Sequence, residues 1–180
     1  MDKSELLDIL KTHKACGEAI KWVVSHPSDS AETIWSECDR GDWMLWMSAK
    51  IGVDRKMIAL AACGCARSVL HLVPVGEDRP RIAIETAEAW AAGIATLAEV
   101  RAAADAAYAY AADAADAAAY ADAAYAAYAA AADAVYAAVA AYAAAYASDA
   151  RRKSLAASAD IVRQHIAWED VVIAVLRGSR

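Results

Sequence analysis

The sequence predicts an all-α protein: a single-domain, multi-helix bundle with closely packed alanine-rich helices. Two observations predict this fold class. Between Arg101 and Ala150, 32 of the 50 residues are alanine, which loses almost no side-chain entropy in a helix. Neither glycine nor proline occurs between Gly93 and Gly178, so the two strongest helix-breaking residues are absent there. No segment shows the period-two alternation, bounded by turn residues, that is typical of strands.

A chain of 180 residues is long enough to form one domain with a buried core. A single helix over residues 101–150 would be about 75 Å long, too long for a domain of this size. Its tyrosines and aspartates drift around a helical wheel, which predicts two or three antiparallel helices with breaks near residues 117–124 and 129–133. The domain then has four parts: N-terminal helices (1–40), core helices with a loop (41–95), alanine-, tyrosine- and aspartate-rich helices (96–150), and C-terminal helices (151–180).

Three helices are predicted at the N-terminus. Apolar residues at helical spacing indicate the first over residues 4–14, with Ser4 as its N-cap. The second covers residues 15–25. The third begins after Ser28 or Ser30 and ends near Cys38.

The next two predicted helices form the apolar centre of the chain. Asp42 is placed to cap a helix over residues 43–51, which is rich in tryptophan and methionine and is closed by Gly52. Asp54 then opens a helix that extends to Leu72. Within it, Gly64 provides a place where another helix can pack tightly.

Residues 74–80 form the one clear loop of the sequence, and Pro80 fits the first turn of the helix that runs to Gly93. Arg79 precedes this proline and is therefore expected outside the helix. Thr96 and Glu99 match a capping box that starts the alanine-rich section.

Two helices are predicted at the C-terminus, over residues 158–165 and 168–176. Ser148 and Asp149 mark a new helix start before them.

The net charge of −6 is unevenly distributed along the chain. Residues 1–81 carry 11 basic and 12 acidic side chains, residues 82–149 carry 1 and 9, and residues 150–180 carry 6 and 3. The middle part, at −8, excludes a nucleic-acid partner because phosphate binding needs a basic face. A basic protein partner is compatible with it, although the aspartates also serve to keep an alanine-rich surface soluble.

Neither a secretory signal nor a membrane span is predicted. The first 14 residues alternate charge with leucine, and the longest charge-free run, residues 134–148, has 15 residues, whereas crossing a bilayer takes about 20. The four cysteines show no disulfide pattern. We therefore expect a cytoplasmic protein with reduced thiols.

Candidate catalytic and metal-binding residues are few. Cys63, Cys65 and His71 are candidates for a metal site, but structural zinc sites use wider cysteine spacing and a second pair. These cysteines are more typical of small buried apolar residues. The four histidines form no HExxH pattern, and no glycine-rich phosphate loop is present. The sequence predicts no enzyme, no cofactor and no metal.

Several stretches resemble one known family. They include Gly41-Asp42-Trp43-Met44-Leu45-Trp46, Glu77-Asp78-Arg79-Pro80-Arg81, Ala87-Glu88-Ala89-Trp90 and the closing segment from Ala159 to Glu169. On these motifs the chain, over roughly residues 35–176, is similar to the Imm-5-like family of bacterial immunity proteins. It departs from the family pattern at Ala167, where relatives are expected to have proline. The resemblance implies an intracellular protein that neutralises a cognate toxin by binding it, without catalytic residues.

We therefore predict a toxin-binding immunity protein as the function. The expected partner-binding residues combine the loop with the acidic helices: Glu77, Asp78, Arg79, Arg81, Asp105, Asp113, Asp116 and Tyr120. A second hypothesis is a self-associating helical scaffold, with a homodimer formed through the alanine-rich helices. A third is a small-molecule binder with a pocket beneath Trp43 and Trp46.

Overall fold

The computed structural model describes residues 1–73, 75–113 and 148–178, and this part of the chain contains nine α-helices and no strand. The helices are α1 (Lys3–Thr12), α2 (Gly17–Ser25), α3 (Ala31–Glu37), α4 (Gly41–Ile51), α5 (Arg55–Arg67), α6 (Arg79–Ala91), α7 (Leu97–Asp113), α8 (Ser148–His165) and α9 (Trp168–Gly178). A 3₁₀ turn, Leu70–Leu72, follows α5. The predicted all-α multi-helix bundle is confirmed. The predicted breaks near residues 117–124 and 129–133 lie outside the described residues.

Helix α5 is the centre of the bundle, because α4, α6 and α8 all pack against it. Its packed side is built from small side chains, so neighbouring backbones approach closely; the fully or almost fully buried ones are Ala59, Ala61, Ala62, Cys63 and Ala66. The Cys63 thiol donates to the carbonyl of Ile84 on α6, and the Cys65 thiol donates to the carbonyl of Ser158 on α8, both at 3.8 Å. Helix α7 packs on α6 through Ala83, Ala104 and Ala107.

Two glycines allow α8 to lie close to α4 and α5. A methyl group on Gly64 would come within 2.7 Å of the Ile161 side chain, so the predicted close packing at this glycine is confirmed. A methyl group on Gly41 would come within 2.6 Å of the Ser158 carbonyl carbon and 2.7 Å of the Ala159 nitrogen. The Gly41 contact was not predicted, because in the sequence this residue reads as part of a turn.

Most local start and stop signals are where the sequence predicted them. Ser30 caps α3 and Asp54 caps α5, each through its side chain. Gly52 ends α4 with a φ of 84°, a left-handed conformation that costs glycine little. Thr96 and Glu99 form both hydrogen bonds of the capping box, and Pro80 lies in the first turn of α6.

Four predicted boundaries are wrong. Asp2 rather than Ser4 caps α1, because the Asp2 carboxylate and Glu5 form a capping box two residues earlier. Asp42 is not a cap but lies inside α4, which begins at Gly41. Helix α5 ends at Arg67 instead of reaching Leu72. The Val69 N–H donates to the Ala66 carbonyl, three residues earlier, and not to a carbonyl four residues earlier as in an α-helix. Arg79 is the first residue of α6, although it precedes proline.

The C-terminal helices are joined by a sharp break at Ile166 and Ala167. Although Ala167 replaces the expected proline, the break is present, because the Asp170 carboxylate accepts a hydrogen bond from the Ala167 N–H at 2.9 Å. The described α8 already begins at Ser148 and runs unbroken to His165. The predicted helix over residues 158–165 is therefore only its last part. Helix α9 docks on α4, with Val171 and Ala174 buried.

Helix α1 ends in an unusual residue. Lys14 has a φ of 59°, while the Ala15 N–H donates to Leu10 and the Lys14 N–H donates to Lys11. This hydrogen-bond pattern is a Schellman motif, in which the left-handed position is usually glycine. Lys14 therefore holds a conformation that costs a residue with a Cβ about 1 kcal/mol.

We expect Lys14→Gly to raise the free energy of unfolding by about 0.5–1 kcal/mol, because glycine adopts a positive φ without steric cost. Lys11→Gly is the control, since Lys11 lies within α1 and the same change there should lower stability by about 1 kcal/mol. Urea unfolding followed by circular dichroism measures both. A decrease for Lys14→Gly would contradict the left-handed assignment.

Candidate functional site

Five of the six tryptophans of the chain line one cavity of about 580 Å³ between α1, α2, α3, α4 and α9. We call this cavity the tryptophan pocket. Leu6, Leu10, Ala19, Val23, Ile34, Met44 and Met47 supply much of its apolar wall. The five tryptophans are Trp22, Trp35, Trp43, Trp46 and Trp168.

Four of the five indole rings form two pairs. Trp22 and Trp43 meet edge to face with ring centroids 6.1 Å apart, and Trp35 and Trp168 lie tilted at 6.2 Å. Edge-to-face and offset arrangements at this separation are favourable because the positive ring edge meets the negative ring face. The pairs join α2 to α4 and α3 to α9. They therefore hold the pocket walls at a fixed spacing.

An ion pair holds one side of the pocket. Arg40 Nε donates to Asp42 Oδ1 at 2.8 Å and Arg40 Nη2 donates to Asp42 Oδ2 at 2.6 Å. The Arg40 guanidinium also lies 4.0 Å from the centroid of the Trp43 ring, a cation–π contact. Asp42 is only 4% exposed, so burying its charge requires this bidentate partner.

The four cysteines differ sharply in their surroundings. Cys16 is exposed and lines the tryptophan pocket, whereas Cys38, Cys63 and Cys65 are buried. Burial raises the pKa of Cys38 and Cys65 to about 11 and that of Cys63 to about 12. The described residues contain no cluster of three or more His, Cys, Asp or Glu side chains that could hold a metal ion.

The predicted loop residues lie together at the start of α6, but their charges are paired with one another. The Arg79 guanidinium donates to both carboxylate oxygens of Glu77, at 2.7 and 2.6 Å, and thereby lowers the pKa of Glu77. Arg81 bridges Asp78 and Glu85, with N–O distances of 3.0 and 2.9 Å. Asp78, Arg79 and Arg81 are exposed. This surface is charged, ordered and accessible.

A shallow apolar depression continues from this loop along α6 and α7. We call it the acidic groove, because Glu85 and Glu99 flank a floor of apolar and small side chains. Ile82 stands at one end and is 45% exposed. The full lining is Ile82, Glu85, Thr86, Ala89, Ala95, Glu99 and Ala102.

Of the predicted residues on the acidic helices, Asp105 is exposed on α7, one turn beyond the groove residue Ala102. Asp113 is the last described residue of α7. Asp116 and Tyr120 lie outside the described residues. Because Ala83 near the start of α6 packs against Ala104 and Ala107 on α7, the structure places the predicted loop and Asp105 toward the same end of the groove.

Sequence reasoning missed two parts of these sites. It proposed a pocket beneath Trp43 and Trp46 but did not foresee that Trp22, Trp35 and Trp168 line the same cavity. The only available signal was that all six tryptophans lie outside the alanine-rich segment. It also overlooked Ile82, and it assigned Glu99 only to a capping box.

In comparisons with known proteins, no family profile, no curated protein and no solved structure matches this chain. The resemblance to the Imm-5-like family therefore stays a prediction from the quoted motifs. Among the described helices, none is both long enough and apolar enough to cross a membrane.

Proposed function

We propose that this protein is a cytoplasmic immunity protein of a bacterium, which neutralises a cognate protein toxin by binding it and not by catalysis. The proposal rests on the resemblance described above and on one structural observation. That observation is the acidic groove, an exposed apolar strip between α6 and α7 that is flanked by Glu85 and Glu99.

The charge pattern favours a basic partner for this groove. The sequence from residue 82 to 149 has nine acidic and one basic side chain, which gives 1 − 9 = −8. A basic toxin would be drawn to this region by long-range attraction, and complementary charges accelerate association more than they tighten it. A segment of that toxin with apolar and basic side chains would cover Ile82 and pair with the carboxylates.

The loop at the start of α6 favours tight binding for a different reason. Its ion pairs between Arg79 and Glu77 and between Arg81 and Asp78 place four charged side chains in contact with one another before any partner arrives. Ordering such side chains on binding costs about 0.5–1.5 kcal/mol each. A loop that is already ordered avoids most of this loss.

The double variant Ile82→Lys/Asp105→Lys tests the proposal. We expect it to reduce capture of a basic toxin from the host lysate at least about tenfold, because it places two positive charges on the groove. Affinity purification with quantitative mass spectrometry measures the capture, and binding to the purified toxin confirms it. The thermal unfolding temperature should change little, since both positions are exposed.

The matched control is Ile173→Lys/Asp8→Lys, which makes the same change in charge on α9 and α1. Ile173 is also 45% exposed, and Asp8 is exposed as well. This control should keep wild-type capture. Equal capture by the groove variant and the control would contradict the proposed face.

The scaffold hypothesis is the second candidate, and exposed apolar residues beside the groove favour it. Ile94 is 83% exposed and Leu97 is 36% exposed, and self-association would cover them. Sedimentation velocity separates the two functions. A dimer that Ile82→Lys/Asp105→Lys dissociates, with no toxin captured by the wild type, would support the scaffold and contradict toxin binding.

A further inference from the structure

We propose that the tryptophan pocket binds a neutral, mainly aromatic small molecule that carries a hydrogen-bond acceptor. This site is separate from the acidic groove, because the two share no lining residue. Its volume of about 580 Å³ lies within the range of about 300–1,000 Å³ that is typical of small-molecule sites. Such sites are mostly apolar with a few placed polar groups, which is also the composition of this pocket.

The indole rings select an aromatic ligand. Trp22, Trp43 and Trp46 line the pocket and are only partly buried, so part of each ring is left accessible. Aromatic rings gain an offset or edge-to-face attraction to one another beyond the area they bury. A flat aromatic molecule placed among the rings would gain this attraction on several sides. An aliphatic molecule of equal size would gain only the burial.

The charged residues of the pocket favour a neutral ligand. They are Lys14, Glu18, Arg40 and Asp42, whose formal charges cancel. Asp42 is already bonded to Arg40 at 2.6 Å, and Glu18 lies 3.8 Å from the same guanidinium. An ionised ligand entering this apolar cavity would lose its hydration without gaining an unengaged buried counterion.

Trp35 supplies the hydrogen-bond donor. It is 6% exposed, and among the described residues none accepts a hydrogen bond from its indole N–H. A buried tryptophan N–H usually has a partner, and an unpaired buried donor calls for an explanation such as a ligand or a bound water. A carbonyl or ether oxygen on the bound molecule would satisfy this donor.

Three probes of matched skeleton test the proposal: 2-acetylnaphthalene, 2-ethylnaphthalene and 2-naphthoate. The ketone should bind most tightly, about 2–10 times more tightly than the alkyl compound, because only the ketone accepts a hydrogen bond. The carboxylate should bind at least about tenfold more weakly than the ketone, owing to its charge. Quenching of tryptophan fluorescence measures the dissociation constants. Protection of the exposed Cys16 thiol from N-ethylmaleimide shows that the probe occupies this pocket.

Three variants keep the test specific. Ala15→Trp fills the pocket from a half-buried lining position and should weaken binding of the ketone at least about tenfold, whereas Ala98→Trp on the exposed face of α7 should leave it unchanged. Trp35→Phe keeps an aromatic ring but removes the N–H, so the preference for the ketone over the alkyl compound should disappear.

Equal binding of the ketone to wild type and Ala15→Trp would overturn the proposal, and so would tightest binding of 2-naphthoate. A dimer that Ala15→Trp dissociates, with no probe bound, would make the pocket an interface between copies and would also overturn it. None of these outcomes bears on toxin capture through the acidic groove.

Discussion

Replacing Gly41 by alanine is expected to lower the free energy of unfolding by about 3 kcal/mol or more. The added methyl group would come within 2.6 Å of the Ser158 carbonyl carbon and 2.7 Å of the Ala159 nitrogen. Both are backbone atoms in the middle of α8, so no side-chain rotation relieves the overlap. Helices α4 and α8 would have to separate, and the buried residues between them would lose packing.

The control is Gly17→Ala, because Gly17 begins α2 as Gly41 begins α4. A methyl group on Gly17 meets nothing within 4 Å, so this change should be neutral or stabilise by up to about 1 kcal/mol. Gly64→Ala should fall between the two, since the atom it meets is the Cγ2 methyl group of the Ile161 side chain and not a backbone atom. Urea unfolding followed by tryptophan fluorescence gives all three values. Similar stabilities for Gly41→Ala and Gly17→Ala would contradict the close contact.

These glycines illustrate what a single sequence can and cannot predict. Ser30, Gly52 and Asp54 were correctly placed because a cap is a local interaction that involves residues two to four positions apart. The close approach at Gly41 depends on Ser158, 117 positions away, and no local pattern contains that contact. Asp42 is a different case: its partner Arg40 is only two positions away, but an aspartate that follows a turn is also typical of a helix cap. Its burial makes sense only once Arg40 is seen to hold it.

The candidate sites show the same difference between contacts that are local in the sequence and contacts between distant residues. The loop was predicted over residues 74–80 from its prolines and glycine, and the ion pairs that Glu77 and Asp78 form with Arg79 and Arg81 at the start of α6 are local. The tryptophan pocket joins five helices, and its rings are separated by up to 146 positions, from Trp22 to Trp168. Only the packing of α1, α2, α3 and α4 with α9 brings them together. The sequence thus indicated which residue types are unusual but not which of them meet.

The three buried thiols should make the protein strongly sensitive to alkaline pH, and this is the second large effect we expect. Burial raises the pKa of Cys38 and Cys65 from 9.0 to about 11 and that of Cys63 from 9.0 to about 12. Below pH 9 these thiols are protonated in the folded and the unfolded chain alike. In this pH range the thiols therefore do not lower the free energy of unfolding.

As the pH rises above 9, the unfolded chain releases these three protons while the folded chain keeps them. The unfolded state is thereby favoured, and the stabilisation is lost progressively until the folded thiols also ionise near pH 11–12. Each thiol contributes up to about 1.4 kcal/mol per pH unit. Together, the three thiols should lower the free energy of unfolding by up to about 4 kcal/mol per pH unit in this window.

Cys63→Ala isolates the thiol contribution from that of other groups that ionise at high pH. Urea unfolding at pH 8, 9, 9.5 and 10 with a phosphine reductant should show a slope that is shallower than in the wild type by about 0.7 kcal/mol per pH unit on average, and by up to about 1.4 at the upper end, because one of the three protons is no longer involved. Cys16→Ala is the control, since Cys16 is exposed, and it should keep the wild-type slope. If Cys63→Ala and Cys16→Ala give the same slope, the Cys63 thiol is not held protonated by the packing of α5 against α6, and the central position of α5 in the bundle would need revision.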